Sequence, residues 1–311
     1  HALQLKRFEM GFPLTGFLKT LQNKNVLLAL IVVCSGCAKT SPQFEQVLQQ
    51  LPDNRTADDI FALTFEKHGG ANLDELNDLN LAIDGEWHFL VTQIQPLIAD
   101  ADYRQQSEER LLLNEQLYFA NYKGDGGNKQ VYRTPNEIKV AYNGEITRDE
   151  QKNSAAALTA DAFYLFTLGP LALHERVKNW QRLPDTTEDG NGYYRINARL
   201  APGFGLSERD FVTLWVNKQS ALTYRVHITL DGFDATKGAH ADTTYLKYTE
   251  IDGFTFPTHF FERVRGPISI DAHEWWYTGI DINRGLTAQD LSINALSLKA
   301  KQPAIAINGT D

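Results

Sequence analysis

The chain has 311 residues, is 42% hydrophobic and 22% charged, and carries 30 Lys and Arg against 39 Asp and Glu, a formal charge of −9. This is globular composition, which excludes wholesale disorder, and the acidic balance excludes nucleic acid as a partner, since that binding rests on basic contacts to phosphate. The two cysteines, Cys34 and Cys37, sit together near the N-terminus, which excludes a disulfide-stapled fold and a zinc site built on several cysteines.

The first segment reads as an address. Met10 is the single methionine, and residues 1–9 read as an upstream extension of the start. Lys19 and Lys24 precede an apolar run over 26–33, and the small residues Ser35 and Gly36 precede Cys37. Basic, apolar and small segments in that order make a secretory signal peptide. The apolar run is too short to span a bilayer, and no run elsewhere approaches the ~18 residues of a transmembrane helix. The end of the segment resembles a bacterial lipobox, with Cys34 where Leu is usual. That resemblance implies cleavage before Cys37 and its lipidation, palmitate included. Ala38 in the next position implies an outer-membrane lipoprotein facing the periplasm. A plain buried cysteine pair in an N-terminal helix is the alternative. Residues 1–36 carry Lys6, Arg7, Lys19 and Lys24 against Glu9, so the mature chain is more acidic still.

Residues 37–55 read as a lipidated tether with a short helix, in which Ser41 and Pro42 start the helix and Pro52 stops it. Thr56 and Asp59 have capping-box spacing, an apolar helix follows, and Gly69–Gly70 ends it. His68 then stands in the last turn, where a cationic ring suits the helix dipole. From about residue 80 the apolar period becomes two. Residues 86–95 read as a strand carrying Trp87, Phe89 and Val91 on one side, and 109–123 as a second strand region. Gly-rich 124–128 and Asn143–Gly144 are turns, so the stretch is an antiparallel meander. Residues 154–168 break the pattern with a helix apolar on most sides, which must be buried or must cover something apolar. Strands follow at 193–200, 210–217, 222–230, 242–250, 255–264 and 268–280. In the 222–230 strand Tyr224, Val226 and Ile228 alternate with Arg225, His227 and Thr229. Residues 296–311 read as a flexible tail, and 56–295 as one domain.

Chemistry has little foothold in this pattern. There is no phosphate loop, nucleophile elbow or HExxH, so the chain does not read as an enzyme and no cofactor is expected. Asp271 with His273, and His240 with Asp242, are two apart on strands and so share a face, but two ligands do not make a metal site. His227, His259 and His273 lie on different strands. The notable constellation is aromatic: strand 211–216, with Trp215, and Trp275–Trp276–Tyr277 carry apolar bulk on both faces and need cover on both sides.

The order of lipobox, N-terminal helices, a Trp87 strand, a meander, an apolar mid-chain helix and long hairpins is distinctive. With Trp215–Val216–Asn217 turning into Tyr224, then Tyr245–Leu246–Lys247–Tyr248 and Gly253–Phe254–Thr255–Phe256–Pro257, it resembles the LolA-like superfamily of periplasmic lipoprotein carriers and outer-membrane lipoproteins. The resemblance spans roughly 56–280, and residues 96–110 depart from it as an insertion. It implies a mainly β (α+β) fold, a single curved antiparallel half-barrel with helices packed in its concave face, and no catalytic residues. It also implies a cavity for a lipid, acyl chain or other hydrophobic ligand, lined by Trp87, Phe163, Phe166, Trp215, Tyr224, Val226 and Ile228, in a carrier or sensor. The alternative is a structural or regulatory lipoprotein with a self-filled core that docks to an envelope partner. No polar anchor for a ligand's head group stands out in the sequence.

Overall fold

The computed structural model describes residues 53–266 and 268–307. The signal segment, Cys37, the tether and the helix expected after Ser41 lie outside the described residues.

Thirteen strands form one sheet: β1 (Asp78–Trp87), β2 (Gln106–Leu112), β3 (Leu117–Gly124), β4 (Gly127–Thr134), β5 (Glu137–Tyr142), β6 (Glu145–Ile146), β7 (Gln181–Glu188), β8 (Asn191–Leu200), β9 (Asp210–Asn217), β10 (Thr223–Thr229), β11 (His240–Ile251), β12 (Phe254–Arg265) and β13 (Ser269–Ile282). Their order is β6-β5-β4-β3-β2-β1-β13-β12-β11-β10-β9-β8-β7. Every neighbouring pair is antiparallel. The first and last strands thus pair at the centre, and two meanders run outward from them. Tight turns make this possible: Asn143 and Gly144 both have positive φ, 50° and 87°, as the two-residue hairpin between β5 and β6 requires.

Four helical elements serve the inner face. Helix α1 (Ala57–Lys67) has its expected capping box on Thr56 and Asp59. Two short turns, α2 (Phe89–Ile94) and α3 (Pro96–Ala99), follow β1. Helix α4 (Glu150–Leu168) starts four residues earlier than expected, because the Asp149 carboxylate, not Ser154, takes the free amides of Gln151 and Lys152. With the 3₁₀ turn after it, α4 is long and apolar enough to cross a membrane by composition, but most of it is buried inside the protein. Leu158, Leu165 and Phe166 lie in the same core as Leu81, Val131, Val226, Ile228 and Phe260 from the sheet.

One carboxylate reports the curvature. Asp161 of α4 receives both Nε and Nη2 of Arg133 on β4, each at 2.9 Å. It also receives the Gly205 amide, from the loop between β8 and β9, at 2.7 Å. β4 and β9 are eight places apart in the sheet, about 38 Å on a flat surface at ~4.8 Å per strand. β4 and the loop that leads into β9 meet at one side chain because the sheet curls around the helix. Gly205 has φ +60°, and a Cβ there would lie 3.0 Å from the Leu158 backbone, so this approach needs glycine.

Four expectations are corrected. The strand read over 86–95 ends at Trp87, since its partner β13 is paired with β1 only as far as His273; residues 89–94 turn helical instead. The strand region 109–123 is a hairpin, turned at residues 113–116 with Gln116 at φ 47°. Strand β7 went unread because Pro184 interrupts its pattern, which an edge strand tolerates. The tail read as flexible from residue 296 is instead a strap, as far as residue 307. Leu286, Leu291 and Ala300 pack with Leu112, Leu117 and Phe119 in a second core on the outer face. The Arg110 side chain on β2 donates to the carbonyls of Ala300 and Gln302, and Asp78 accepts the amides of Arg284, Gly285 and Leu286. The folded domain therefore runs past residue 295.

Candidate functional site

The inner face of the central strands presents an aromatic stack. The ring of Trp275 lies parallel to Phe260 at 4.8 Å, and Phe163 of α4 stacks on Trp275 at 4.9 Å. His273, two residues back on β13, is sandwiched between Trp275 at 4.9 Å and Trp87 at 3.9 Å. Phe166 packs 6.1 Å from Trp275, and the Thr167 and Tyr277 hydroxyls are 2.8 Å apart.

Polar groups gather at the end of this stack. The Arg104 guanidinium lies over the rings of Trp87, Tyr122 and Phe163 at 4.9, 5.2 and 5.0 Å. Its Nη1 donates to the Ile98 carbonyl at 2.6 Å, and its own carbonyl accepts from Trp87 Nε1. On β2 and β3, Ser107 Oγ donates to Glu109 at 2.9 Å, and the hydroxyls of Tyr118 and Tyr122 are 2.8 Å apart. Burial pushes the Glu109 carboxyl up to about 7, against the pull of the Tyr118 and Ser107 hydroxyls and of Arg104 and Arg110. Burial, helped by Arg104 and His88, holds the His273 ring well below the usual histidine range, so it is neutral. These groups line a cavity of about 20 Å³, with Arg104, Glu109, Tyr122, Phe163, His273 and Trp275 in its wall. Such a space holds one water-sized group. A larger groove of about 230 Å³ has a mixed wall, with Ala82 and Ile83 beside Asp84, Gln106, Glu108 and Lys123.

The segment 88–104 closes the end of the stack as a flap. Val91 and Ala99 are buried beneath it, while Phe89 is 78% exposed and Leu90, Ile94 and Leu97 are also exposed. Its ties are polar. Asp100 accepts from Lys129 Nζ at 2.5 Å and from the Tyr142 hydroxyl at 2.8 Å. Gln95 donates to the Ala235 carbonyl.

Of the residues expected to line a cavity, Trp87, Phe163 and Phe166 meet at the stack, and Val226 and Ile228 lie in the continuous core farther along the inner face. Trp215 and Tyr224 do not join them. Trp215 alternates with the core residues Leu214 and Val216, and its ring lies under Arg225 and Arg195 at 4.5 and 5.5 Å. A bulge between Thr223 and Arg225 breaks the alternation and sends Tyr224 to the same outer face, stacked on Tyr193 at 4.5 Å. A bulge likewise separates Asp271, paired with Arg263, from His273. His227 neighbours His240 on the outer face, and His259 accepts or donates with Glu274 at 2.7 Å, so the three strand histidines stay apart. Among the described residues no metal-binding group of His, Cys, Asp or Glu forms.

His68 differs from its sequence reading. It is fully buried, its Nδ1–H donates to the Thr255 carbonyl, and its Nε2 accepts the Thr223 amide. Burial lowers it to about 4, so it is a neutral link between α1 and two strands, not a cationic cap. Arg104 and Glu109 were also missed. Arg104 falls in the insertion without a motif. Glu109 carried a signal, because it shares a face with Leu111, so an acid stands at an inward position.

No family model matches the chain, and no curated protein matches it. Among solved structures it is similar to a LolA superfamily protein from Nitrosomonas europaea, 12% identical over 78% of this chain and 100% of that one, with a TM-score of 0.48. A DUF1329 family protein from Desulfovibrio piger is 11% identical with the same coverage and a TM-score of 0.48. A putative outer membrane lipoprotein-sorting protein domain from Vibrio parahaemolyticus is 11% identical over 76% and 98%, with a TM-score of 0.41. The single open antiparallel sheet of this chain, curled around a long apolar helix, is the arrangement that the sequence resemblance implies.

Proposed function

We propose that this chain is a bacterial-envelope lipoprotein, anchored through Cys37 and facing the periplasm. It holds a lipid, acyl chain or other hydrophobic ligand against the concave LolA-like face, as a carrier or sensor rather than an enzyme. The carrying observation is the flap: four large apolar side chains, Phe89, Leu90, Ile94 and Leu97, are exposed on one short segment at the end of a buried aromatic stack. A polar surface segment would serve a permanently closed core better, because exposed apolar clusters mark contact with membranes, ligands or partners. An acyl chain gains about 0.8 kcal/mol for each CH₂ it buries, so a few methylenes offset lifting the flap. Native mass spectrometry of the full chain after gentle detergent extraction tests this: co-purified lipid is expected, and a consistently ligand-free mass contradicts it.

The second reading is a self-filled regulatory lipoprotein whose exposed flap docks to an envelope protein. The small cavity of only about 20 Å³ favours it. The two separate on added lipid: a carrier takes up a fluorescent fatty acid, and a self-filled docking protein does not.

A further inference from the structure

The buried cations of this protein fall into two kinds. Arg110, Lys129, Arg133 and Arg225 each have a carboxylate oxygen close by, at 2.8, 2.5, 2.9 and 2.5 Å. Arg104 is as deeply buried, at 4% exposure, yet among the described residues no ion pair reaches it. Its Nη1 is used by the Ile98 carbonyl, and its buried Nε has no hydrogen-bond partner. His273, also on the cavity wall and 5% exposed, has an unpartnered Nδ1. A charge taken out of water without a counter-charge is costly, and proteins pair such groups or use them.

We infer that Arg104, with His273 beside it, seats the acidic head group of an apolar ligand, and that this group is a carboxylate on an acyl chain. This rests on the preceding reading that the concave face takes up an apolar chain. With the flap in place the cavity holds one water-sized group, so the carboxylate enters as the flap lifts, and a bulky phosphate-bearing head would need far more room. The Arg104 Nε–H donates to one carboxylate oxygen, and the neutral His273 ring offers an Nδ1 donor to the other in the tautomer that protonates that nitrogen. The chain then runs from the head along Phe163 and Trp275, whose rings already stack at 4.9 Å. The groups around the seat are Glu109 from β2, Glu262 opposite His273 on β12, Lys129 on β4 and His88 at the start of the flap. Burial pushes both Glu109 and Glu262 up to about 7, so neither is a fully charged partner for Arg104 at neutral pH.

The test titrates palmitic acid, methyl palmitate and acetate into the delipidated full chain and reads displacement of an environment-sensitive apolar dye. Palmitate is expected to bind at least about tenfold more tightly than its methyl ester, a difference of the size that one charge-assisted hydrogen bond supplies. Acetate should not compete. Arg104→Gln should bring palmitate down to the affinity of the ester, and Arg104→Lys should keep part of the preference. If the wild type binds acid and ester alike, or Arg104→Gln keeps the preference, the head-group seat is refuted while uptake of apolar chains stands. If acetate competes as well as palmitate, the site is a plain anion site and the inference falls. If neither palmitate nor its ester displaces the dye, the preceding reading fails, and the seat with it. A thermal melt of each variant identifies one that merely fails to fold, and the acid-to-ester ratio of the wild type decides the matter without any variant.

Discussion

Arg225 and Arg104 stand on opposite faces of the same sheet, are equally buried, and are both laid over aromatic rings. On the outer face Arg225 is enclosed by Glu188 at 2.5 Å and Asp242 at 3.2 Å, and Asp242 also takes Arg265. That network pairs each of its cations with a carboxylate, although Asp242 Oδ1 and Arg265 Nε make no hydrogen bond, and it covers this part of the outer face. On the inner face Arg104 has rings and one carbonyl, and among the described residues no carboxylate forms an ion pair with it. The contrast separates a charge that the fold uses from one that a ligand can use.

The sharpest way to break this comparison is to damage the two faces separately. Phe166→Glu puts a carboxylate into the closed inner core, 6.1 Å from Trp275. It should unfold the protein at 37 °C, read as loss of a cooperative melt, because an unpaired buried charge costs several kcal/mol. Arg225→Met removes one of the two cations on Asp242, which is 3% exposed, and the cation on Glu188. It should destabilise by about 3–5 kcal/mol in urea unfolding, while fatty-acid uptake by the folded fraction stays unchanged. A loss of uptake at full stability would move the site to the outer face.

Two titrations act in opposite directions. Burial raises Glu109 from an ordinary 4.5 to about 7 in the folded state. Between those values the folded protein binds a proton that the unfolded chain does not, so this contribution to stability is lost as pH rises from about 4.5 to 7. Glu109→Gln should remove that loss and gain about 2–3 kcal/mol at pH 8. His68 is lowered from 6.5 to about 4 by burial. There the unfolded chain binds the extra proton, so stability falls as pH drops from about 6.5 to 4. His68→Gln should flatten that acid limb in a series of urea midpoints, at a cost of about 1–3 kcal/mol for the backbone groups it leaves unpaired. An unchanged acid limb would mean that the ring is not held neutral.

The smallest expected effect on stability is the most informative. Arg104→Gln removes a buried charge that has no carboxylate, so its urea midpoint should stay within about 1 kcal/mol of the wild type. A loss as large as that of Arg225→Met would make Arg104 structural and erase the contrast.

Much of the fold was legible because it is local. Thr56 and Asp59 mark a helix start, Asn143–Gly144 marks a hairpin, and residues 154–168 can only be a covered helix. What escaped depends on distant partners. Whether residues 89–94 remain a strand depends on how far β13 pairs with β1, and whether the tail is loose depends on Arg110 and Arg284 holding its carbonyls. The site was half legible for the same reason. Phe163 and Phe166 follow from helical spacing, whereas the position of Tyr224 turns on one bulge that reverses parity, and the weight of Arg104 lies in its making no ion pair among the described residues.

The most direct measurement of the central claim is labelling of the full chain with a palmitic acid carrying a photoreactive diazirine near its carboxyl end, mapped by peptide mass spectrometry. The account predicts adducts on the inner-face residues around Arg104, Phe163 and Trp275, suppressed by excess palmitate. Adducts confined to the outer-face residues around Trp215 and Tyr224, or insensitive to excess palmitate, would contradict it.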